Sequence, residues 1–559
     1  MSIIQIAHNA TTAKVKDPSR DVAIQIQEIL SYSVDGAEHM DSVKNHKWDG
    51  RSSFYQFADH TFPRGFIALV NARLKKLGHT VQILKKPFPE PLGPINPVVD
   101  AFPAHPRYDY QPEVVRKLEF HGQIIAQVAT GGGKSRIAKL ATARLGRKTL
   151  FLTTRGVLMH QMHASFKELN PDAALLGDGI IEDGPIVCGM VQTIMAHLNA
   201  NTYAQEIKRL ADALATKEEK QKEALLAKMK KAKLTPIVQA AELAKLDREQ
   251  EKSRPSEAEF IATAKANVIT QAERRKKMIA LLRTFEFVIL EEAHEASGNS
   301  YFDILGQCVN AHYRLALTGT PFMKESEEQN MRLMAASGHV AIRVTEEMLI
   351  ERGILATPRF KFVKLPVKPP KLYKSTSWRA AYDYGVVNNE YRNKAGIAEI
   401  IRAIRYGLTA LALVQSREHG NIIKKMLEKY GVRAEYIQGE DNQKERQRCL
   451  GMLKRGEISV LIGSTILDVG VDVPAIGIVV NFGGGKAEVA LRQRIGRGLR
   501  EKRSGPNIMY YVDFEDDYNN HLREHFAQRL AIIKGTAGFN QHVVEDFNLA
   551  ADGFVKLVA

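Results

Sequence analysis

A glycine-rich segment between an apolar run and a lysine has the clearest chemistry in this chain. Residues 128–135 read Val-Ala-Thr-Gly-Gly-Gly-Lys-Ser and follow the apolar residues 124–126. Three adjacent glycines allow a sharp turn in which backbone N–H groups converge on a polyphosphate. A helix that starts directly after such a turn adds its N-terminal dipole. The layout is typical of a phosphate-binding loop, although Val128 stands where the strict pattern has glycine.

In this interpretation the loop binds the triphosphate of ATP. Lys134 contacts the β- and γ-phosphates, and Ser135 supplies an oxygen to Mg²⁺. The other predicted cofactor-binding residues of the loop are Thr130, Gly131, Gly132 and Gly133. Taken alone, the segment could also be an ordinary glycine-rich turn between a strand and a helix.

Two carboxylates follow a second apolar run. Residues 287–290 lead into Glu291-Glu292-Ala293-His294. Doubly wound folds place catalytic groups at the C-terminal ends of such strands. We expect Glu291 to hold Mg²⁺ through its water shell and Glu292 to orient and deprotonate an attacking water. As an isolated tetrapeptide, the same residues also occur at acidic helix starts.

Length, composition and charge indicate a folded protein of several domains with a polyanionic partner. The chain has 559 residues, of which 44% are hydrophobic and 25% charged, and its net charge is +16. Such an excess favours nucleic acid; an acidic membrane surface is the competitor, but no lipidation signal supports it. No apolar stretch reaches the roughly 18 residues of a membrane span, and no signal peptide begins the sequence. Because Cys188, Cys308 and Cys449 lack metal-ligand spacing, we expect reduced thiols in a cytoplasmic protein.

Strand-like apolar runs alternate with helical patterns in two series, which predicts an α/β protein with two tandem doubly wound parallel sheets. The first series of predicted strands is 123–128, 149–153, 185–190, 287–290 and 315–318. The second series is 410–414, 434–437, 460–462, 476–481 and 508–514.

The predicted domain order places smaller units around these two motor domains. It is a small α+β nucleic-acid-binding domain at 1–88, a proline-rich linker at 89–106, motor domains at 107–345 and 346–515, and a helical tail at 516–559. Residues 201–283, rich in Lys, Glu, Ala and Leu, are predicted to form a protruding helical hairpin inserted in the first motor domain. The insertion could be a charged spacer or, given its basic runs at 228–231 and 274–277, an arm that grips nucleic acid.

Together these motifs resemble those of helicase superfamily 2, in the right order over about residues 105–515. In that superfamily the acidic strand carries Asp-Glu-x-His, and this chain has Glu291 in place of the aspartate. The resemblance implies two RecA-like domains with ATP and Mg²⁺ bound between them. Residues 493–500 (Gln-Arg-Ile-Gly-Arg-Gly-Leu-Arg) look like the arginine-finger helix of the family. Arg497 and Arg500 share one helical face and would both reach the γ-phosphate as catalytic residues.

The resemblance also implies roles for other residues at the nucleotide. Residues 107–111 look like the adenine-reading segment, with Tyr108 stacking on the base and Gln111 pairing with it. Residues 468–474 resemble the motif that senses the nucleotide across the cleft, which implies cofactor contacts from Gly470 and Asp472. The segment at 317–321 resembles the one that couples hydrolysis to strand movement. The implied coupling residues are His294, Thr318, Thr320 and Gln493.

A further set of residues is expected to contact nucleic acid. Segments that look like backbone-contacting motifs of the family are 153–155, 192–193 and 464–465. The residues implied are Thr154, Arg155, Thr193 and Thr465. In the N-terminal region, the turn at 46–55 carries Trp48 and Arg51, which we also assign to nucleic-acid binding. A buried Trp48 that holds a small core is the alternative.

The N-terminal region is similar to the small domain of the tailed-phage UvsW family of branched-DNA helicases, on the motifs at 46–55 and 62–66. The resemblance implies a monomeric ATP-dependent helicase or branch-migration translocase of recombination, repair and replication, in the cytoplasm of a bacterium or a phage-infected host. Its partner would be branched DNA (Holliday junctions, forks, R-loops) or duplex with single-stranded regions, with RNA–DNA hybrid as a further candidate. The alternatives are a motor subunit of a restriction or defence complex, an RNA helicase, and an ATP-gated nucleic-acid clamp with weak hydrolysis.

Overall fold

The computed structural model describes residues 3–84, 88–101, 105–293, 298–322, 326–438, 441, 443–463, 476–486, 488–502 and 505–557. The N-terminal domain has a four-stranded sheet in the order β5-β2-β1-β6 and a separate hairpin of β3 and β4. Its elements are β1 Ile3–His8, β2 Thr12–Val15, α1 Arg20–Ile29, β3 Ser31–Ser33, α2 Asp41–Lys44, β4 Arg51–Ser53, β5 Thr61–Pro63, α3 Ile67–Lys76 and β6 Thr80–Leu84. The predicted turn before a strand is present, since Gly50 has a φ of +76° directly before β4.

The first motor domain is built on an eight-stranded sheet in the order β10-β9-β11-β8-β12-β13-β7-β14. Its strands are β7 Gln123–Val128, β8 Thr149–Thr153, β9 Ala174–Gly177, β10 Ile180–Ile181, β11 Ile186–Met190, β12 Phe287–Glu291, β13 Tyr313–Thr318 and β14 His339–Val344. Its helices are α4 Tyr110–His121, α5 Lys134–Leu145, α6 Gly156–Lys167, α7 Val191–Leu198, α8 Tyr203–Lys231, α9 Pro236–Ser253, α10 Glu257–Leu282, α11 Asn299–Gln307, α12 Glu327–Ser337 and α13 Glu346–Glu351. The pairs joining β7, β8, β9, β11, β12, β13 and β14 are all parallel, so the C-terminal ends of these strands lie at one edge.

The second motor domain has a six-stranded sheet, parallel throughout, in the order β15-β20-β19-β16-β18-β17. Its strands are β15 Thr357–Lys364, β16 Ala410–Leu413, β17 Ala434–Ile437, β18 Val460–Gly463, β19 Ile478–Asn481 and β20 Ile508–Glu515. Its helices, with the tail, are α14 Trp378–Tyr382, α15 Glu390–Ile404, α16 Arg417–Lys429, α17 Gln443–Lys454, α18 Glu488–Gly498 and α19 Asn520–Gly535. The predicted fold class of two tandem RecA-like domains with a small N-terminal domain is confirmed. The predicted domain boundaries stay predictions.

The insertion in the first motor domain forms three helices, α8, α9 and α10, so the predicted hairpin is wrong in its number of helices. Pro236 begins α9 and Pro255 lies just before α10, because proline ends one helix and is tolerated in the first turn of the next. Glu206 ties the root of the insertion together by accepting hydrogen bonds from Arg209, Asn267 and Gln271. These donors hold the pKa of the Glu206 carboxyl well below its usual range, the hydrogen bond from Arg209 being the largest cause.

The proline-rich segment and the C-terminal tail both pack on the motor domains. The backbone N–H of Leu92 donates to Leu145 O at 2.9 Å, and the hydroxyl of Tyr313 donates to Pro89 O at 2.7 Å. In the tail, the guanidinium of Arg529 is buried against the carboxylate of Asp513 at 2.8 Å. Among the described residues, no helix is both long enough and apolar enough to cross a membrane.

Candidate nucleotide site between the two motor domains

A cavity of about 520 Å³, called the cleft below, is lined by residues of both motor domains. It lies at the C-terminal ends of β7 and β12, where the strands give way to the phosphate loop and the paired carboxylates. Ten residues predicted to act at the nucleotide line it: Tyr108, Thr130, Gly131, Gly133, Lys134, Ser135, Glu291, Glu292, Arg497 and Arg500. Gln493, predicted to couple hydrolysis to movement, lines it as well.

The loop requires its glycines for conformation and for space. Gly131 and Gly133 have φ values of +88° and +78°, in the left-handed region that favours glycine. A Cβ at Gly131 would lie 2.6 Å from Leu355 Cδ2 of the segment that enters the second motor domain. A Cβ at Gly133 would lie 2.5 Å from Gln111 Nε2. Because α5 begins at Lys134, the turn delivers the lysine to the N-terminus of a helix, where an anion is favoured.

Gln111, the predicted adenine reader, is buried behind the loop. Its amide nitrogen donates to Gly132 O at 3.4 Å, and its amide oxygen accepts from Arg136 Nη1 at 2.7 Å. Arg136 is fixed in turn by Asp100 of the proline-rich segment, at 2.8 Å. These hydrogen bonds and the ion pair tie Gln111 to the loop. The role of Gln111 in reading the base stays a prediction.

The paired carboxylates differ in environment. Glu291 ends β12 and is buried, and burial raises the pKa of its carboxyl to about 8, against the opposing effect of Lys134. Among the described residues, Glu291 Oε2 has no hydrogen-bond partner. This buried carboxyl oxygen beside Lys134 and Ser135 fits a role in holding Mg²⁺, because a bound cation would favour the charged form of Glu291. Glu292 has a φ of +50°, a conformation that non-glycine residues adopt mainly where the surrounding structure imposes it.

The arginine-bearing helix α18 contacts the phosphate loop directly. A Cβ at Gly496 would lie 2.7 Å from Thr130 Cγ2, so this face of the helix has no room for a larger residue. Arg500 lies beyond the end of α18, in a β-bridge with Leu355, so the prediction that it shares a helical face with Arg497 is wrong. The N–H of Ala356 donates to Leu499 O at 2.7 Å and holds this segment against the entry to the second motor domain. The structure thus brings Arg497 and Arg500 into the same cavity as Lys134.

Five lining residues were not predicted from the sequence: Leu158, Gln161, Ile354, Leu355 and Glu501. Glu501 forms a two-pronged ion pair with Arg107, with N–O distances of 3.0 and 3.1 Å, which joins the two motor domains beside Tyr108. Its position directly after the arginine helix was the one available sequence signal. The others come from loops and from α6, and their roles depend on contacts between domains.

Of the predicted coupling and nucleic-acid residues that the structure describes, Gln493 alone lines the cleft. Thr318 is buried at the end of β13, where its hydroxyl accepts from the N–H of Thr320 at 3.2 Å. The carbonyl of Thr154 accepts from Gln192 Nε2 at 3.1 Å, which joins the segments of Thr154–Arg155 and Thr193. Four predicted residues lie outside the described part of the chain: His294, Thr465, Gly470 and Asp472.

Trp48 and Arg51 lie together on the turn of the N-terminal domain. The indole N–H of Trp48 donates to Arg51 O at 2.7 Å. Trp48 is half-buried and Arg51 is exposed, so the indole does not form the centre of a small core. Their role in nucleic-acid binding stays a prediction.

Comparison with known families agrees with this geometry. Residues 105–323 match the family described as type III restriction enzyme, res subunit, and residues 395–502 match the helicase conserved C-terminal domain. The first match contains the phosphate loop and both carboxylates, and the second contains the arginine helix. In both motor domains the chain therefore resembles superfamily 2 helicases. Its predicted enzyme class, an ATP hydrolase, is confirmed by these matches.

Individual relatives of the chain are distant. "Putative helicase 22" of a Sulfolobus islandicus filamentous virus is 23% identical over 299 residues, which are 48% of this chain and 53% of the relative. The ATP-dependent RNA helicase DBP8 of Scheffersomyces stipitis is 22% identical over 260 residues, 46% of this chain and 54% of the relative. The matches thus span about half the length of these relatives. The crystal structure of T4 UvsW is similar with a TM-score of 0.42 and 15% identity, over 97% of this chain and 99% of that chain.

Proposed function

We propose that the chain is an ATP-driven motor that unwinds or branch-migrates branched DNA. The observation that supports it most directly is the shared cleft, in which Lys134 of one domain and Arg497 and Arg500 of the other line one cavity. Phosphoryl transfer needs charge stabilisation on several sides of the γ-phosphate, and neither domain supplies it alone.

The residues around the cleft suggest how ATP would be hydrolysed. Lys134 and the N-terminus of α5 bind the phosphates, and Glu292 orients and deprotonates the attacking water. Arg497 and Arg500 stabilise the charge that develops during transfer. Mg²⁺ would be held by Ser135 and Glu291 and would neutralise phosphate charge.

Hydrolysis would be converted into movement by the opening of the cleft. ATP bridges the two domains and favours their approach, and the loss of the γ-phosphate removes that bridge. Contacts to the DNA backbone near Thr154, Thr193 and Thr465 would then shift by one step. The hydrogen bond between Gln192 and Thr154 would make the first two contacts move together.

A branched substrate is proposed from the N-terminal domain and the charge of the chain. The motifs at 46–55 and 62–66 resemble those of branched-DNA helicases, and the net charge of +16 favours a polyanion. The domain packs on α11 and α12, the helices that follow β12 and β13, so DNA held by it would have a fixed position relative to the motor. RNA remains the second candidate, since DBP8 is named an RNA helicase. A restriction motor is the third, from the name of the family matched at 105–323.

One experiment separates these candidates. ATP turnover and strand separation are measured on single-stranded, forked and four-way DNA, on RNA–DNA hybrid and on RNA duplex. The proposal predicts multiple turnover that is stimulated most by forked or four-way DNA. Greater unwinding of RNA duplex would favour an RNA helicase. A single turnover followed by stable binding would indicate a clamp, and turnover on unbranched duplex alone would favour a restriction motor.

A further inference from the structure

A group of exposed aromatic rings interleaved with cations lies in the second motor domain, away from the cleft lining. Tyr373, Trp378 and Tyr384 are 65%, 39% and 37% exposed. Residues 365–384, which contain all three rings, carry four Lys or Arg and one acidic residue, Asp383. Lys371, Lys374 and Arg379 among them are exposed. We name these three aromatic residues and three cations the aromatic surface. Exposed apolar patches mark interaction sites, whereas surface apolar residues scattered singly do not.

The central ring is held firmly from behind. The ring of Trp378 lies 4.4 Å from that of His525 and 5.4 Å from that of Tyr382, measured between centroids. A small core beneath it joins α14 to the first turn of α19. The members of this core are Leu372, Ala381, Val386 and Leu522. Trp378 is therefore buried enough to be fixed and exposed enough to accept a flat partner on its outer side.

The backbone of the segment is equally fixed. The side-chain amide of Asn519 donates to the carbonyls of Tyr373, Lys374 and Thr376, at 2.8, 3.2 and 3.0 Å. A turn of π-helix, Asp383–Val387, follows α14. Leu522 packs closely on this turn, since a Cβ at Gly385 would lie 2.5 Å from Leu522 Cδ1. A rigid aromatic surface loses little conformational entropy when a ligand binds.

The surface lies at the sheet edge where the motor is expected to contact nucleic acid. All six strands of the second sheet are parallel, and α19 begins shortly after the C-terminal end of β20. Thr465, a predicted backbone contact outside the described residues, follows β18 in sequence. In the sheet order β20 and β18 are three strand spacings apart, which is about 15 Å. A single strand that occupies several nucleotides would span this distance.

We propose that the aromatic surface binds unpaired DNA, with one base stacked on Trp378 and the backbone paired with the neighbouring cations. This inference rests on the proposed function, because the ligand is the single strand produced or followed by the motor. Aromatic rings accept unpaired bases on their faces and do not discriminate strongly between sequences. Base pairs in an intact duplex are stacked on one another, so the surface would favour single strands.

The two tryptophans of the chain, Trp48 and Trp378, allow a direct test in the full-length protein. In a Trp48→Phe variant, Trp378 is the only tryptophan, and its fluorescence is followed without ATP while oligothymidylate of about 20 nucleotides is added, longer than the usual single-strand site. We expect saturable quenching that an abasic oligonucleotide of equal length does not reproduce. Binding of the labelled oligonucleotide with unchanged Trp378 fluorescence would overturn the proposal. So would quenching by oligouridylate but not by DNA, which would indicate an RNA surface.

Substitutions give an independent measurement of the same contact. Trp378→Leu should weaken single-strand binding by roughly tenfold, in keeping with the loss of one base–aromatic stack. Trp378→Phe should retain most of the affinity, and blunt duplex binding should change little in either variant. The control is Tyr430→Leu, which removes a ring that is 58% exposed at the far end of α16, near the opposite edge of the sheet. If Trp378→Leu lost equal affinity for single strand and for duplex, this would contradict the proposal.

The outcomes also separate this inference from the proposed function. Turnover stimulated by forked DNA with an unquenched Trp378 would overturn the aromatic surface and leave the motor in place. Quenching by DNA without any DNA-stimulated turnover would overturn the motor and leave the aromatic surface as a binding site.

Discussion

At the scale of single residues, the cleft depends on positions where a side chain is either indispensable or has no room. Lys134, Glu291 and Glu292 come from the first domain and meet Arg497 and Arg500 from the second. The two sets have different roles in the proposed mechanism. The lysine lies at the N-terminus of α5, where it would bind phosphate in the ground state. The arginines lie on the opposing side, where they would act mainly on the charge of the transition state.

The first prediction follows from this difference. Arg497→Ala should lower ATP turnover by two to three orders of magnitude, roughly the effect of removing one preorganised charge or donor from a transition state. Nucleotide affinity should fall much less, because Lys134 and the loop remain. Steady-state kcat and KM, with direct titration of a fluorescent ATP analogue, measure the two effects separately.

Lys134→Ala is the comparator for this prediction. It should abolish turnover together with nucleotide binding while leaving salt-sensitive DNA binding largely intact. Lys425→Ala, an exposed lysine on α16, is the control for the loss of a positive charge and should leave turnover unchanged. Equal losses of affinity and turnover in Arg497→Ala would show that the arginine acts in ground-state binding instead.

The sequence predicted most of the residues that line the cleft because their spacing is local. The phosphate loop, the paired carboxylates and the arginine helix each occupy fewer than ten consecutive residues. Glu501 and Leu355 could not be found in the same way, since each acquires its place in the cleft only when the two domains meet. For Gln111 the sequence predicted a contact with the base and gave no sign of the tie to Arg136 and Asp100.

At the scale of helices and strands, burial decides which elements the sequence reveals. The central strands β7, β8, β12 and β16 are covered on both faces and read as continuous apolar runs. Four described strands of the motor domains were not predicted: β9, a buried run of only four residues, the two-residue edge strand β10, and β14 and β15. Strands β14 and β15 both lie at the edge of their sheets. Their sequences, His-Val-Ala-Ile-Arg-Val and Thr-Pro-Arg-Phe-Lys-Phe-Val-Lys, mix polar with apolar residues because much of each strand is only half-buried. Pro358 within β15 is tolerated for the same reason.

The close approach of α18 to the phosphate loop gives a second prediction. Gly496→Ala should lower ATP turnover, because the added Cβ would lie 2.7 Å from Thr130 Cγ2 and would push the arginine helix away from the cleft. The stability of the helix should not fall, since alanine favours a helix interior over glycine by about 1 kcal/mol. Turnover and thermal denaturation are measured in parallel.

The matched control is Gly451→Ala in α17. Its nearest neighbour would be Arg455 Nη1 at 2.9 Å, the end of an exposed side chain that can move aside. Wild-type turnover in Gly496→Ala would show that the contact between α18 and the phosphate loop adapts to an extra methyl group. The close packing of α18 would then have no catalytic consequence.

The helical insertion gives a third prediction, on whether it is a spacer or an arm for nucleic acid. Residues 203–282 carry 18 Lys or Arg and 12 Asp or Glu, and the basic run at 274–277 is exposed. This run lies beside Met278, which packs in the same core as Ile194 of α7, the helix that carries Thr193. Replacing residues 274–277 by Gln should therefore weaken DNA binding and make the DNA affinity less dependent on salt concentration. Each lost phosphate contact reduces the slope of log K against log salt by about 0.9.

The run at 228–231, near the far end of α8, provides the comparison. Since α8 is 29 residues long, its tip is about 40 Å from its root at 1.5 Å per residue. Replacing the lysines of this run by Gln tests whether DNA extends along the insertion to its tip or contacts only the root of the insertion. If neither set of replacements changes the salt slope, the insertion is a spacer as far as nucleic acid is concerned.

At the scale of the whole molecule, the N-terminal domain is part of the motor and not a module on a loose tether. Met331 and Ala335 of α12 belong to the hydrophobic core of the N-terminal domain. Arg64 is buried at the junction, where its guanidinium donates to His312 O at 2.9 Å and lies over the ring of Phe88 at 4.7 Å. Burial lowers the pKa of Arg64 to about 10, so the side chain remains charged at neutral pH. Domains joined over such a surface move together, which would link the position of branched DNA to the state of the cleft.

The last prediction uses a glycine at this junction, which can be altered with little effect on either domain alone. A Cβ at Gly65 would lie 2.0 Å from Met334 O and 2.7 Å from Ala335 O, both backbone atoms of α12 that cannot move aside. Gly65→Ala should therefore separate the N-terminal domain from the motor. We expect two thermal transitions by calorimetry and a loss of the preference for forked over single-stranded DNA, with turnover on single strands retained. Gly535→Ala, where a Cβ would meet no described atom within 4 Å, is the control for an added methyl group. A single transition with an unchanged preference for forked DNA would mean that docking of the domain has no part in selecting the substrate.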